Sequence, residues 1–115
     1  MGISTHILDT SLGKPAANVG VTLSWFRDNA AGGFWEQIGS GRTDNDGRCK
    51  TLLGDRPLVA VDYKLHFDVG VYFHDLRISA LYPSIEIVFR IADPSQHYHI
   101  PLLLTANGYT TYRGS

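Results

Sequence analysis

The sequence predicts an all-β fold, an antiparallel sandwich or barrel of seven or eight short strands. Three observations carry this. Apolar residues recur with a period of two: in VDYKLHFDV, Val61, Tyr63, Leu65, Phe67 and Val69 alternate with Asp62, Lys64, His66 and Asp68, the mark of a half-buried strand. Turn signals (LGKP, DNAAGG, TDNDGR, LGDRP, YPS, ADPS and ANG) fall between such runs at short intervals. The length of 115 residues suits one domain over residues 1–115 and is too short for two cores.

The elements follow in order. In ISTHILDT, Ile3, Thr5 and Ile7 alternate with Ser4, His6 and Leu8, so His6 faces outward if Ile3 and Ile7 face the core. VGVTLSWFR puts Val19, Val21, Leu23 and Trp25 on one face. GSGRTDNDGR has the look of an acidic calcium loop, with Asp44 and Asp46 ahead of Gly47. It lacks the later bidentate Glu, and a tight hairpin with Gly47 at positive φ is the stronger reading. That turn starts the next strand at Arg48.

VGVYFHDLRISA does not alternate cleanly. It is expected to hold a short helix with Val71, Leu76 and Ile78, together with Tyr72 or Phe73, along one face. IEIVFRI returns to period two through Ile85, Ile87, Phe89 and Ile91. In QHYHIPLLL, His97 and His99 stand two apart, so both imidazoles project from the face shared with Pro101 and Leu103.

Composition bounds the function. A hydrophobic fraction of 43% with 18% charged residues describes a globular chain, and a net charge of -1 gives no electrostatic reason to expect nucleic acid or an anionic membrane as partner. No apolar run reaches the roughly 20 residues needed to span a bilayer, and MGISTHILD has no basic segment followed by an apolar one. His6 stands where an N-myristoylation site wants Ser or Thr, and the closing RGS is no peroxisomal address. The single cysteine, Cys49, excludes an internal disulfide. The expected location is the cytoplasm.

An isolated strand histidine is usually a surface group or a satisfied core group, and His66 and His74 are read that way. The pair His97 and His99 is also a metal-ligand geometry, for which His6 could supply a third imidazole. Cys49 adjoins Arg48 but points to the opposite face, and is read as buried or inert. Ser115 has no nucleophile-elbow context, so no covalent nucleophile is expected.

The opening STHILDTSLGKPAANVGVTL, the middle GRTDNDGR and the ending HYHIPLLLTANGYTTYRGS together resemble the transthyretin-like 5-hydroxyisourate hydrolases over nearly the whole chain. The closing YRGS is the specific part. Transthyretin, the carrier branch, shares the fold but lacks the histidines at matching positions and this ending. The resemblance implies a transthyretin-like (prealbumin-like) antiparallel β-sandwich of two four-stranded sheets with one short helix. It also implies a homotetramer, a dimer of dimers, whose central channel is lined by the face carrying His6, Leu8 and His99.

The implied activity is ring-opening hydrolysis of 5-hydroxyisourate in urate degradation, with no cofactor and no metal. The catalytic residues implied are His6, Arg48 and His99. Arg48 is matched rather than Arg42 because it follows the Asp-Gly turn. Substrate binding falls to His6, Arg48, Tyr112, Arg113, Gly114 and Ser115. His97 receives no assigned role beyond support of its neighbours. The chemistry suits these types: a neutral imidazole takes a proton from water, and a guanidinium steadies a developing oxyanion. The competing readings are a noncatalytic carrier and a zinc hydrolase using His6, His97 and His99.

Overall fold

The computed structural model describes residues 2–115. The strands are β1 (Ile3–Asp9), β2 (Lys14–Pro15), β3 (Gly20–Arg27), β4 (Phe34–Arg42), β5 (Arg48–Cys49), β6 (Asp62–Phe67), β7 (Ile85–Arg90), β8 (Tyr98–Thr105) and β9 (Gly108–Thr111), with helix α1 (Val69–Asp75) between β6 and β7. One sheet runs β2-β1-β8-β9, with β5 also paired to β1; the other runs β4-β3-β6-β7. Two separate sheets make this the sandwich and not the barrel. The first sheet exceeds the expected four strands because two-residue pieces, β2 and β5, share one edge of β1.

One pairing departs from a wholly antiparallel arrangement. β1 and β8 run parallel, with Ser4 opposite His99 and His6 opposite Pro101. Parallel neighbours need a long crossover, and here the entire second sheet with α1 lies between them in the chain.

Alternation along the strands fills the interior. Ile3 and Ile7 of β1, Val21 and Leu23 of β3, Tyr63, Leu65 and Phe67 of β6, Ile85 of β7, and Tyr98, Ile100, Leu102 and Leu104 of β8 form one buried cluster. Each large apolar side chain so buried contributes roughly 1.5–3 kcal/mol. Polar groups drawn inside are satisfied: Thr5 Oγ1 donates to the Ile100 carbonyl at 2.6 Å, which ties β1 to β8 just behind the histidines.

Two local expectations are corrected. The helix turns a different face inward, burying Val69 and Phe73 while Val71, Leu76 and Ile78 are exposed. The cause is its attachment: Val69 carries on from β6, and Gly70 N–H donates to the Pro83 carbonyl at 3.0 Å, so rotation is set before the apolar pattern can choose. Positions 69 and 73 then share a face at i, i+4 spacing.

The second correction concerns TDNDGR. The turn is tight, with Gly47 at φ 75° and its N–H on the Asp44 carbonyl at 2.9 Å. It is not a hairpin, since β4 pairs with β3 in one sheet while β5 pairs with β1 in the other. The turn is a corner between sheets.

Candidate active site

The outer face of the β1 sheet collects the polar residues. Alternation brings Ser4, His6 and Leu8 to this face, each half-buried, while Ile3, Thr5, Ile7 and Asp9 point inward. On β8 the same rule exposes one side of His99 and Leu103 beside buried Tyr98, Ile100, Leu102 and Leu104. Pro101 also lies on the outer side but is covered. His97 sits immediately before β8 and is exposed.

Arg48 arrives by the corner. Asp44 Oδ1 accepts from Asp46 N–H at 2.9 Å and from Arg48 N–H at 3.0 Å, and Ile7 N–H donates to the Gly47 carbonyl at 2.8 Å. These bonds hold Asp44 below the usual carboxylate range, the Arg48 amide contributing most. They also set Arg48 directly across from His6 in an antiparallel pair, where facing residues project to the same side. A side chain on Gly47 would put its Cβ 2.3 Å from the Ile7 carbonyl oxygen, so glycine is required by both φ and contact. Cys49, the next residue, points inward and is buried. Burial pushes its thiol up, as befits an inert core group.

The resulting cleft has a volume of about 240 Å³ and is walled by Ser4, Thr5, Arg48, Lys50, His97 and His99. His6 adjoins it, its ring centroid 6.5 Å from that of His99 and tilted by 38°. Ser4 Oγ lies 2.8 Å from His97 Nε2 and 2.8 Å from His99 Nδ1. Among the described residues His99 Nε2 has no hydrogen-bond partner, and no fully buried side-chain nitrogen or oxygen is left unsatisfied, so Nε2 retains access to solvent.

Burial pushes the His99 pKa below the ordinary histidine value, and the charges of Arg48, His6 and His97 lower it further. Both effects penalise the imidazolium. The imidazole is therefore neutral at neutral pH, the state a general base needs.

The chain's end splits in two. Gly114 N–H donates to the His99 carbonyl at 2.8 Å, forming a bridge beyond β9. A Cβ there would stand 2.6 Å from His99 Cδ2, so the glycine lets the backbone lie against the imidazole. Arg113 turns to the other side, its Nη2 donating to Gln96 Oε1 at 2.6 Å and its guanidinium 4.2 Å from the Tyr98 ring. Tyr112 and Ser115 are exposed. Of the residues singled out from sequence, His6, Arg48, His99 and Gly114 thus meet in one place, whereas Tyr112, Arg113 and Ser115 do not wall the cleft of the single chain.

Three wall residues, Ser4, Thr5 and Lys50, carry no role in the sequence reading, Thr5 because its side chain points inward. Ser4 shares the outward face with His6 two residues on, and that spacing is the signal the sequence offers for it. Lys50, beyond the two-residue β5, had no strand pattern to orient it. Among the described residues no group of three or more His, Cys, Asp or Glu side chains is arranged to hold a metal ion. No helix among them is long and apolar enough to cross a membrane.

Residues 3–114 match the model of the HIUase/Transthyretin family. The chain is 42% identical over 113 residues to a 5-hydroxyisourate hydrolase of Salmonella dublin, covering 98% of this chain and 80% of that protein. A solved 5-hydroxyisourate hydrolase of Klebsiella pneumoniae superposes with a TM-score of 0.82 at 34% identity, over 98% of each chain. Sea bream transthyretin in complex with thyroxine superposes with a TM-score of 0.87 at 30% identity, over 97% of this chain and 93% of that one. A match over nearly the whole chain, with a relative at 42% identity, shows that the chain belongs to the HIUase/Transthyretin family.

Proposed function

We propose that this protein hydrolyses 5-hydroxyisourate to 2-oxo-4-hydroxy-4-carboxy-5-ureidoimidazoline, by attack of water on the cyclic amide carbonyl. One observation carries the reading: a neutral, solvent-accessible imidazole nitrogen on His99 stands in a cleft beside the Arg48 cation. His99 takes a proton from water as the carbon–oxygen bond forms. The carbonyl electron pair moves onto oxygen, where Arg48 stabilises the developing charge. Collapse breaks the carbon–nitrogen bond, the ring opens, and the departing nitrogen takes up the proton. His6, beside His99, orients the water or returns that proton.

Backbone likeness does not separate hydrolase from carrier, since the superposition on transthyretin is as good as that on the hydrolase. The side chains favour the hydrolase, because a carrier for a hydrophobic ligand has no use for a depressed-pKa histidine next to an arginine. Substrate generated from urate by urate oxidase, followed by ultraviolet absorbance, tests this directly. Loss of 5-hydroxyisourate no faster than its spontaneous decay would refute the enzyme and favour the carrier. Activity removed by a chelator and restored by zinc would instead favour the metal reading.

The outward face bearing His6, Leu8, His99 and Leu103 supports assembly into a homotetramer, a dimer of dimers, with this face lining a shared channel. Tyr112 and Ser115, exposed in one chain, would then complete the site with Arg113 and Gly114 as the segment that holds the substrate. Sedimentation showing a stable, fully active monomer would contradict this. The lone buried Cys49 agrees with a cytoplasmic setting, which fractionation of the source cells would check.

A further inference from the structure

The structure offers a role for His97. Resting on the reading of His99 as general base, we propose that Ser4 and His97 act as positioning residues that fix the His99 tautomer, leaving the lone pair on Nε2.

Ser4 has a single hydroxyl hydrogen to share between two rings. A serine hydroxyl donates once and accepts through its lone pairs, yet Ser4 Oγ is 2.8 Å from a ring nitrogen of each of two histidines. With both imidazoles neutral, two arrangements give the Ser4 hydroxyl proton one of the rings as acceptor; a third, in which both rings donate to Oγ and that proton turns away from them, leaves His99 Nε2 bare as the first does. In the first, His99 Nδ1–H donates to Ser4 Oγ, and the Ser4 hydroxyl donates to His97 Nε2. In the second, His97 Nε2–H donates to Ser4 Oγ, and the hydroxyl donates to His99 Nδ1. A neutral imidazole carries one proton, so the first leaves His99 Nε2 bare and the second protonates it. Of these two, only the first leaves Nε2 able to act as a base.

Electrostatics selects between them. The cleft wall carries the side chains of Arg48 and Lys50. An Nε2–H bond would direct its positive end into that field, whereas a lone pair is stabilised there. His97 pays little in either arrangement, because it is exposed and water can serve its other nitrogen. A flip of the ring would put Cδ2 where Nδ1 now meets Ser4 Oγ at 2.8 Å and lose that bond, so the imidazole keeps its nitrogens in place. When Nε2 takes up a proton in catalysis, Nδ1–H keeps its bond to Ser4, now charge-assisted and stronger. Nothing rearranges at that moment.

Each partner therefore has a defined task. Ser4 supplies the acceptor that holds the Nδ1 proton. His97 occupies the Ser4 hydroxyl proton, which would otherwise be free to turn toward His99 and impose the wrong tautomer. This is the logic of a base oriented by a third group, with a hydroxyl and a second imidazole in place of the usual carboxylate.

The test reads the tautomer and the rate separately. Ring nitrogen-15 resonances of the whole labelled protein, free of substrate and above the His99 pKa, should show His99 protonated at Nδ1 and bare at Nε2. Ser4→Ala should give a mixture of tautomers and lower kcat roughly 10- to 100-fold, the scale seen when a histidine loses its orienting partner, with KM nearly unmoved. Ser4→Thr should recover turnover. His97→Gln, whose amide oxygen can accept from Ser4, should recover most of the activity that His97→Ala loses. Wild-type His99 protonated at Nε2 overturns the proposal, as does wild-type kcat in Ser4→Ala or His97→Ala. Failure of the hydrolase reading itself looks different: the wild type would not accelerate 5-hydroxyisourate loss, whatever tautomer the resonances report.

Discussion

Gly47→Ala should disable the site through the backbone, without touching a functional side chain. The residue sits at φ 75°, where an L side chain costs about 1–2 kcal/mol. Its added Cβ would also stand 2.3 Å from the Ile7 carbonyl oxygen, against a floor of 3.0 Å that real contacts respect, so something must move by about 0.7 Å. Ile7 cannot yield easily, because its carbonyl accepts from Ala16 N–H at 2.9 Å and its N–H donates to Gly47 at 2.8 Å. The corner moves instead and carries Arg48 with it. A displacement near 1 Å at a reacting centre costs on the order of 10²-fold, and kcat/KM should fall by roughly 10- to 100-fold. Stability should drop by about 2–4 kcal/mol, the conformational cost plus a partly relieved clash. Gly54→Ala is the matched control, at φ 59° with nothing within 4 Å of its added Cβ. It should lose stability through φ alone and keep its rate. Chemical denaturation and turnover at equal folded concentration decide the matter. Equal kcat/KM in the two variants would refute the claim that the corner positions Arg48.

Further outcomes concern the histidines. His99→Asn or His6→Asn should lower turnover by about 10²- to 10⁴-fold, while His66→Asn, whose ring meets Glu86 and Asp68 on the other sheet, should retain nearly full activity; comparable rates in all three would exclude the mechanism. Activity should rise with pH as His99 loses its proton, along an acid limb whose midpoint lies below the ordinary histidine value because burial and the Arg48 charge disfavour the imidazolium. By linkage the unfolded chain binds that proton first as pH falls, so His99 contributes a loss of stability that begins near its unfolded pKa and grows in acid; a His99 resonance titrating above the ordinary value would contradict both statements. Gly114→Ala should push the His99 ring away from the chain's end and lower kcat more than it lowers thermal stability, as paired rate and melting measurements would reveal.

The faces of the strands were legible in the sequence, whereas sandwich rather than barrel came only with the family resemblance. Alternation in ISTHILD, VDYKLHF and HYHIPLLLT sufficed to separate core from surface, because strand side chains have no choice but to alternate. That put His6 outside and Cys49 inside, the YRGS ending pointed to the family, and the family resemblance put His99 on the outward face. Where a local rule was interrupted, the sequence fell silent. β4 shows no clean period, since a register shift opposite Leu23 and Ser24 breaks its pairing. The helix turns inward a face other than the one its apolar pattern favours, because attachment to β6 and the Gly70 bond to Pro83 set its rotation.

Tertiary structure alone decided which outward residues meet. TDNDGR announces a turn, but nothing local distinguishes a hairpin from a corner that hands the chain to the opposite sheet and sets Arg48 across from His6. The parallel pairing of β1 with β8 joins Ser4 to His97 and His99 across more than ninety positions of sequence. Such contacts depend on strand order and register, which are settled by packing the whole core at once. No window of neighbouring residues contains that information.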